Sequence, residues 1–144
     1  MKKPLAVLDT NVIISGLILP KSNPGKIMRL WKSKKFDLIT STPVLKELER
    51  VLSYPKISMK YSLTTTAIGD MLNKIKKNSK IISQLKLPRV SVRDKEDLIV
   101  IATAIDGKAD YLVTGDDDLL SLKEHSDIKP FKILTINEFL QLIK

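Results

Sequence analysis

No cysteine occurs anywhere in the 144 residues. Disulfides, zinc–thiolate centres and thiol nucleophiles are thereby excluded, and the absence fits a reducing compartment. Histidine occurs once, as His125, in a polar stretch that reads as surface loop. Long apolar runs are also missing: nothing approaches the roughly 18 residues that suggest a membrane span. The N-terminus imitates a signal peptide, with Lys2 and Lys3 ahead of "PLAVLDTNVIISGLIL". Asp9 and Asn11 interrupt the apolar stretch, however, and no small-residue cleavage site follows. The segment reads instead as a core strand and its following loop, in a protein expected to stay in the cytoplasm. There are no repeats, low-complexity tracts or composition breaks, so residues 1–144 are expected to form a single domain. A chain of this length can bury a core without covalent or metal staples.

What the sequence has in excess is positive charge. Lysine and arginine total 25 against 16 aspartates and glutamates, a net charge of +9. The natural partner of such a surface is a polyanion, nucleic acid before membrane. The lysine runs "KSKK" (32–35) and "KIKK" (74–77) read as solvated helix ends, where cations suit the dipole.

Apolar periodicity gives an alternating series of elements. "LAVLD" (5–9), "FDLIT" (36–40), "DYLVT" (110–114) and "FKILT" (131–135) read as short buried strands. A further extended piece falls near 77–83. Helices are expected over 22–35, with Asn23 capping and Pro24 in the first turn, and over 41–54, with Thr42 capping. Others are expected around 64–79, over 94–110 ending at Gly107, and over 135–144, where Thr135 and Glu138 have capping-box spacing. Residues 54–63 read as a basic loop. Strands alternating with helices predict an α/β fold, a three-layer sandwich with a mostly parallel sheet of four to five strands.

In such sheets ligands gather outside the carboxyl ends of the strands. Asp9 ends the first strand and Asp116 follows the strand over 110–114. Glu47 lies early in the helix after the second strand, bordering its buried face, unlike Glu49. Asp94 and Asp97 flank the start of another helix; Asp94 reads as its cap. Four segments thus deliver acids to one edge. Four ionised carboxylates about 5 Å apart at an effective dielectric near 20 repel by roughly 3 kcal/mol per pair, about 20 kcal/mol over six pairs. Such a site must take up protons or cations, and an all-oxygen set suits Mg²⁺ or Mn²⁺. On a basic protein this chemistry points to phosphodiester hydrolysis. Of "TGDDDLL" (114–120), Asp116 is the expected ligand and Asp117 faces solvent. Asp118 is expected to cap a short helix, with a lesser role at the metal through water. Arg93, Lys95, Lys56 and Lys60 are the phosphate-binding candidates, because they lie in loops near this edge.

The ordered set "VLDTNVIISGL" (7–17), "STPVLKELERVL" (41–52), "DKEDLIVIATAIDGKADYLVTGDDDLL" (94–120) and "ILTINEFL" (133–140) resembles the PIN-domain nucleases. It is most similar to the bacterial and archaeal branch that supplies toxins of toxin–antitoxin pairs. The resemblance implies a metal-dependent endoribonuclease with a quartet of acids falling on Asp9, Glu47, Asp97 and Asp116. Asp9, Asp97 and Asp116 would hold the metal and Glu47 would orient water or help hold a second ion. Asn11, Thr114 and Asp94 match supporting polar positions, with Asp118 as an additional acid. It also implies an RNA substrate, a small antitoxin partner and a homodimer without membrane attachment. The competing readings are a structure-specific DNA nuclease, for which 144 residues leave little room, and a non-catalytic RNA- or partner-binding module.

Overall fold

The computed structural model describes residues 3–86, 95–123 and 131–143. Five parallel strands form one sheet: β1 (Leu5–Leu8), β2 (Asp37–Ser41), β3 (Ser79–Ile82), β4 (Tyr111–Val113) and β5 (Lys132–Leu134). Their order is β3-β2-β1-β4-β5, and every pairing is parallel. Eight helices are described: α1 (Thr10–Ile18), α2 (Asn23–Lys32), α3 (Thr42–Leu52), α4 (Pro55–Ser58), α5 (Thr65–Lys77), α6 (Lys95–Asp106), α7 (Asp117–Leu120) and α8 (Ile136–Ile143). The expected α/β architecture is what the chain adopts, with the sheet wholly parallel. Parallel strands need long crossovers, and helices supply them.

The middle strands are nearly continuous apolar runs because both faces are covered. Ala6, Val7, Leu8, Leu38, Ile39, Leu112 and Val113 are all within 1% of full burial. Phe36 and Phe139 meet edge to face with centroids 5.0 Å apart. This contact ties the start of β2 to α8.

The strand order reverses once. The chain moves outward from β1 to β2 and β3, then returns to place β4 on the other side of β1. The carboxyl ends of β1 and β4 therefore flank the point where the winding reverses. A crevice forms there in sheets of this kind.

Several local expectations need correction. Residues 10–18 form helix α1 rather than a loop. Its valine and isoleucines suggest extended chain, but they are buried on several sides, and tertiary packing outweighs β-branched preference. Gly16 permits this: a Cβ there would sit 2.4 Å from Met28 Cγ and 2.8 Å from the Pro24 carbonyl oxygen. The stretch after residue 54 contains the single turn α4. Ser22, not Asn23, caps α2, its Oγ accepting from the Gly25 N–H at 3.1 Å. Ser41 rather than Thr42 is the cap residue of α3. Each cap lies one residue earlier than expected, with the proline second in the helix. Helix α6 is closed by Lys108, at φ 55°, beyond Gly107. The capping box of α8 forms as expected: the Glu138 N–H donates to Thr135 Oγ1 at 3.1 Å and the Thr135 N–H donates to Glu138 Oε1 at 2.8 Å.

Candidate active site

The site begins with Thr114, the residue after β4. Its buried hydroxyl donates to Asp9 Oδ2 at 2.8 Å and accepts from the Asp116 N–H at 2.9 Å. One side chain thus joins the ends of two neighbouring strands. Asp116 Oδ1 then accepts from the Asp118 N–H at 2.7 Å. Asp116, not Asp118, is accordingly the cap of α7. The "TGDDD" turn is folded by its own side chains, as Asx and Ser/Thr turns are.

That turn aims two of its three acids inward. Carboxylate oxygens of Asp116, Asp118 and Asp97 all lie within 4.8 Å of one another. Asp97 comes from the first turn of α6 and is only 5% exposed. Asp117 is exposed, as expected. Asp118, expected only in support, stands in the closest trio. Asp9 stands beside it rather than in it.

Asp9 is buried at 7% exposure. Burial pushes its carboxyl above the ordinary carboxylate range, and the nearby Asp116 charge pushes the same way. The Thr114 hydroxyl and the N–H groups of Thr10 and Asn11 oppose the rise. Asp9 and Asp116 share a recess of about 250 Å³ with Asn11, Ser15, Gly115 and Ile136. Ser15 is absent from the sequence-based candidates: its place on α1 is invisible while residues 10–18 are read as a loop.

Glu47 occupies an adjoining recess of about 330 Å³, lined also by Thr10, Lys95, Glu96 and Ile99. Arg50 Nε donates to Glu47 Oε2 at 2.9 Å, and its Nη2 contacts Glu47 Oε1 and, at 3.5 Å, Glu96 Oε1. The Arg50 hydrogen bond holds the Glu47 carboxyl below its usual range. Glu47 is half-buried and Glu49 exposed, the distinction its apolar flanks suggested. The neighbouring Thr10 and Glu96 adjoin Asp9 and Asp97 in sequence, which puts the two recesses side by side.

Of the basic candidates, Lys95 lines the Glu47 recess. Lys56 and Lys60 lie past the far end of α3, about 16 Å of helix from its start, and line neither acidic recess. Lys60 instead sits over the Tyr61 ring at 5.4 Å, as Arg50 does over Tyr54 at 5.1 Å. Arg93, Asp94 and His125 fall outside the described residues. No helix among the described residues is long and apolar enough to cross a membrane.

Comparison with known proteins meets this geometry from outside. The chain is 37% identical over 131 residues to an uncharacterized protein of Methanocaldococcus jannaschii, covering 91% of this chain and 79% of that one. It superposes on a chain of the crystal structure of VapBC2 from Rickettsia felis bound to a DNA fragment from their promoter. The TM-score is 0.55 at 16% identity, covering 91% of this chain and 98% of the other, a likeness of fold. The family model described as PIN domain matches residues 5–118, a span that runs from β1 through the three acids of the β4–α7 turn. With that span and with Asp9, Asp97 and Asp116 gathered at the sheet's switch point, the chain belongs to the PIN-domain family.

Proposed function

We propose that this protein is a divalent-cation-dependent endoribonuclease and the toxin of a toxin–antitoxin pair. The observation that carries the reading is the meeting of Asp97, Asp116 and Asp118 within 4.8 Å beside buried Asp9. Three carboxylates that close favour a cation between them, and hard oxygen donors fit Mg²⁺ or Mn²⁺. Asp97, Asp116 and Asp118 would hold the ion, with Asp9 as their neighbour across the Thr114 bridge. When bound, the ion supplies charge for the phosphate in the transition state and acidifies a bound water.

The chain's own residues do the rest. Thr114 fixes the Asp9 carboxylate in the wall of the recess. The Asp118 N–H locks the Asp116 rotamer in the same way. Glu47, held by Arg50, would orient water in the adjoining recess or help hold a second ion. Asn11 and Ser15 offer amide and hydroxyl groups to a strand lying along the Asp9 recess, while Lys95 draws its phosphates. No histidine is required for any of these roles.

The toxin role rests on the resemblance of the motifs and on the fold shared with a chain of a VapBC2 complex. A small antitoxin, a homodimer and a cytoplasmic location belong to the same reading. The test is cleavage of labelled RNA and of matched flap DNA, with Mn²⁺ or with EDTA, by the wild type, Asp9→Asn and Asp116→Asn. RNA cleavage that needs the cation and both aspartates is expected. Full activity in EDTA refutes the cation dependence, and full activity in Asp9→Asn refutes the acidic site as the catalytic one. Calorimetry showing no Mn²⁺ uptake with RNA binding retained would favour a binding module. Growth arrest on expression, absent in Asp9→Asn, tests the toxin role. Light scattering tests the dimer.

A further inference from the structure

At the opposite edge of the sheet, where the strands begin, lies a cavity of about 540 Å³. Three segments bring cations to it: Lys3 ahead of β1, Lys32 and Lys34 at the end of α2, and Lys74 in the last turn of α5. Trp31 and Phe36 also line it, at 7% and 1% exposure, and give it an apolar floor. Asp37 is the single carboxylate of the lining and pairs with Lys3 at 3.4 Å. Among the described residues, Lys32, Lys34 and Lys74 have no carboxylate within salt-bridge distance.

The end of α2 fixes where Lys34 stands. Its φ is 63°, the left-handed region in which a side chain is strained and glycine is usual. The Lys34 and Lys35 N–H groups donate to the Trp31 and Leu30 carbonyls at 2.9 and 3.0 Å, the bonds that close α2. Any residue here must take this conformation, and glycine would take it without strain. The conformation is that of a helix end, as at Lys108 after α6, and it sets Lys34 on the rim of the cavity.

The cations define the ligand. Ammonium groups round one cavity repel each other and are relieved by an anion of more than one charge. Lysine is a compact point-charge donor suited to phosphate. The volume falls in the range of small-molecule sites, about 300–1,000 Å³. We propose that this cavity binds linked phosphate groups, either those of a free polyphosphate or nucleotide or consecutive phosphates of an RNA strand. The site lies a strand's length, roughly 13–17 Å, from the acidic edge and does not depend on the nuclease reading.

Trp31 is the only tryptophan, so its fluorescence reports on this cavity alone. The full chain carrying Asp9→Asn is titrated in EDTA with tripolyphosphate and, separately, with an oligouridylate. Cleavage and cation uptake at the acidic edge are then silent. A saturable change in emission is expected, weakened about tenfold or more by Lys34→Ala with Lys74→Ala and falling with salt. Saturation by tripolyphosphate identifies a small phosphorylated ligand; saturation by the oligonucleotide alone identifies a strand. No saturable response to either, or unchanged affinity in the triple Lys32→Ala, Lys34→Ala, Lys74→Ala variant, overturns the proposal. Lys34→Gly separates structure from binding: it should melt higher and bind more weakly. A higher melting point with unchanged binding would make Lys34 merely structural and refute its role. Failure here leaves the RNA-cleavage result standing, and the converse holds.

Discussion

Replacing Asp116 with asparagine should make the metal-free protein more stable. The three carboxylates of Asp97, Asp116 and Asp118 approach within 4.8 Å. At an effective dielectric near 20, each ionised pair at that separation repels by about 3.5 kcal/mol, and Asp116 belongs to two of the three pairs. Water around half-buried Asp116 and Asp118 screens this and leaves roughly a quarter of that gross sum, about 1–2 kcal/mol. Asparagine keeps an oxygen for the Asp118 N–H, so the cap of α7 survives. The lost attraction between a charge and the helix start gives back about 0.5 kcal/mol. For a chain of this size the net gain corresponds to a melting point higher by roughly 2–5 °C. Thermal melts followed by circular dichroism in EDTA measure it directly. The same melts with Mn²⁺ test the other half of the argument. A cation at 100 times its dissociation constant stabilises the wild type by about 2.7 kcal/mol, and Asp116→Asn should lose most of that gain. Asp117→Asn, one residue away and exposed, should change neither measurement. A lower melting point for Asp116→Asn in EDTA, or an undiminished response to Mn²⁺, would refute the picture of a repelling trio relieved by a cation.

Three more outcomes are expected from the same geometry. Thr114→Val removes a hydroxyl that serves Asp9 and the Asp116 N–H at once; it should cost about 2–4 kcal/mol in urea denaturation and most of any RNA-cleaving activity, with Thr114→Ser restoring both. Gly16→Ala drives a methyl group into Met28 and the Pro24 carbonyl, so α1 and α2 must part, at a cost of about 1–3 kcal/mol readable as a lower urea midpoint. Glu138, held by Lys123 and by the Thr135 N–H, has its carboxyl lowered to about 2. A depressed carboxyl contributes stability above its unfolded value of 4.5 and loses it as pH falls towards 2. Urea midpoints of the wild type and Glu138→Gln should therefore converge across that window and stay apart above it, modestly, because solvent screens this exposed pair.

The fold was legible because parallel strands buried on both faces leave short apolar runs between helical segments, as in "LAVLD" and "DYLVT". Residues 10–18 were not, since periodicity cannot separate a helix buried on several sides from an extended segment, and the deciding contact, Gly16 against Met28 and Pro24, joins positions that no local rule links. Strand polarity alone sends Asp9, Glu47, Asp97 and Asp116 to one edge, and that much of the site could be read. Which oxygens meet there depends on the turn after Val113. Thr114 accepts from the Asp116 N–H and Asp116 from the Asp118 N–H. Each bond tightens the chain by two residues and swings Asp118 in towards Asp97, while Asp117 points out. A spacing rule sees three consecutive carboxylates and ranks them by distance from the strand. The turn ranks them by which side chains are already committed to the backbone. The basic runs illustrate the reverse error. "KSKK" and "KIKK" are helix ends by every local criterion, and remain so. The topology of the sheet then brings the ends of α2 and α5 to one cavity, with Lys34 held in a strained backbone conformation at its rim. Charge along a sequence is therefore a guide to the partner's sign. The place of contact is set by which helix ends the strand order makes neighbours.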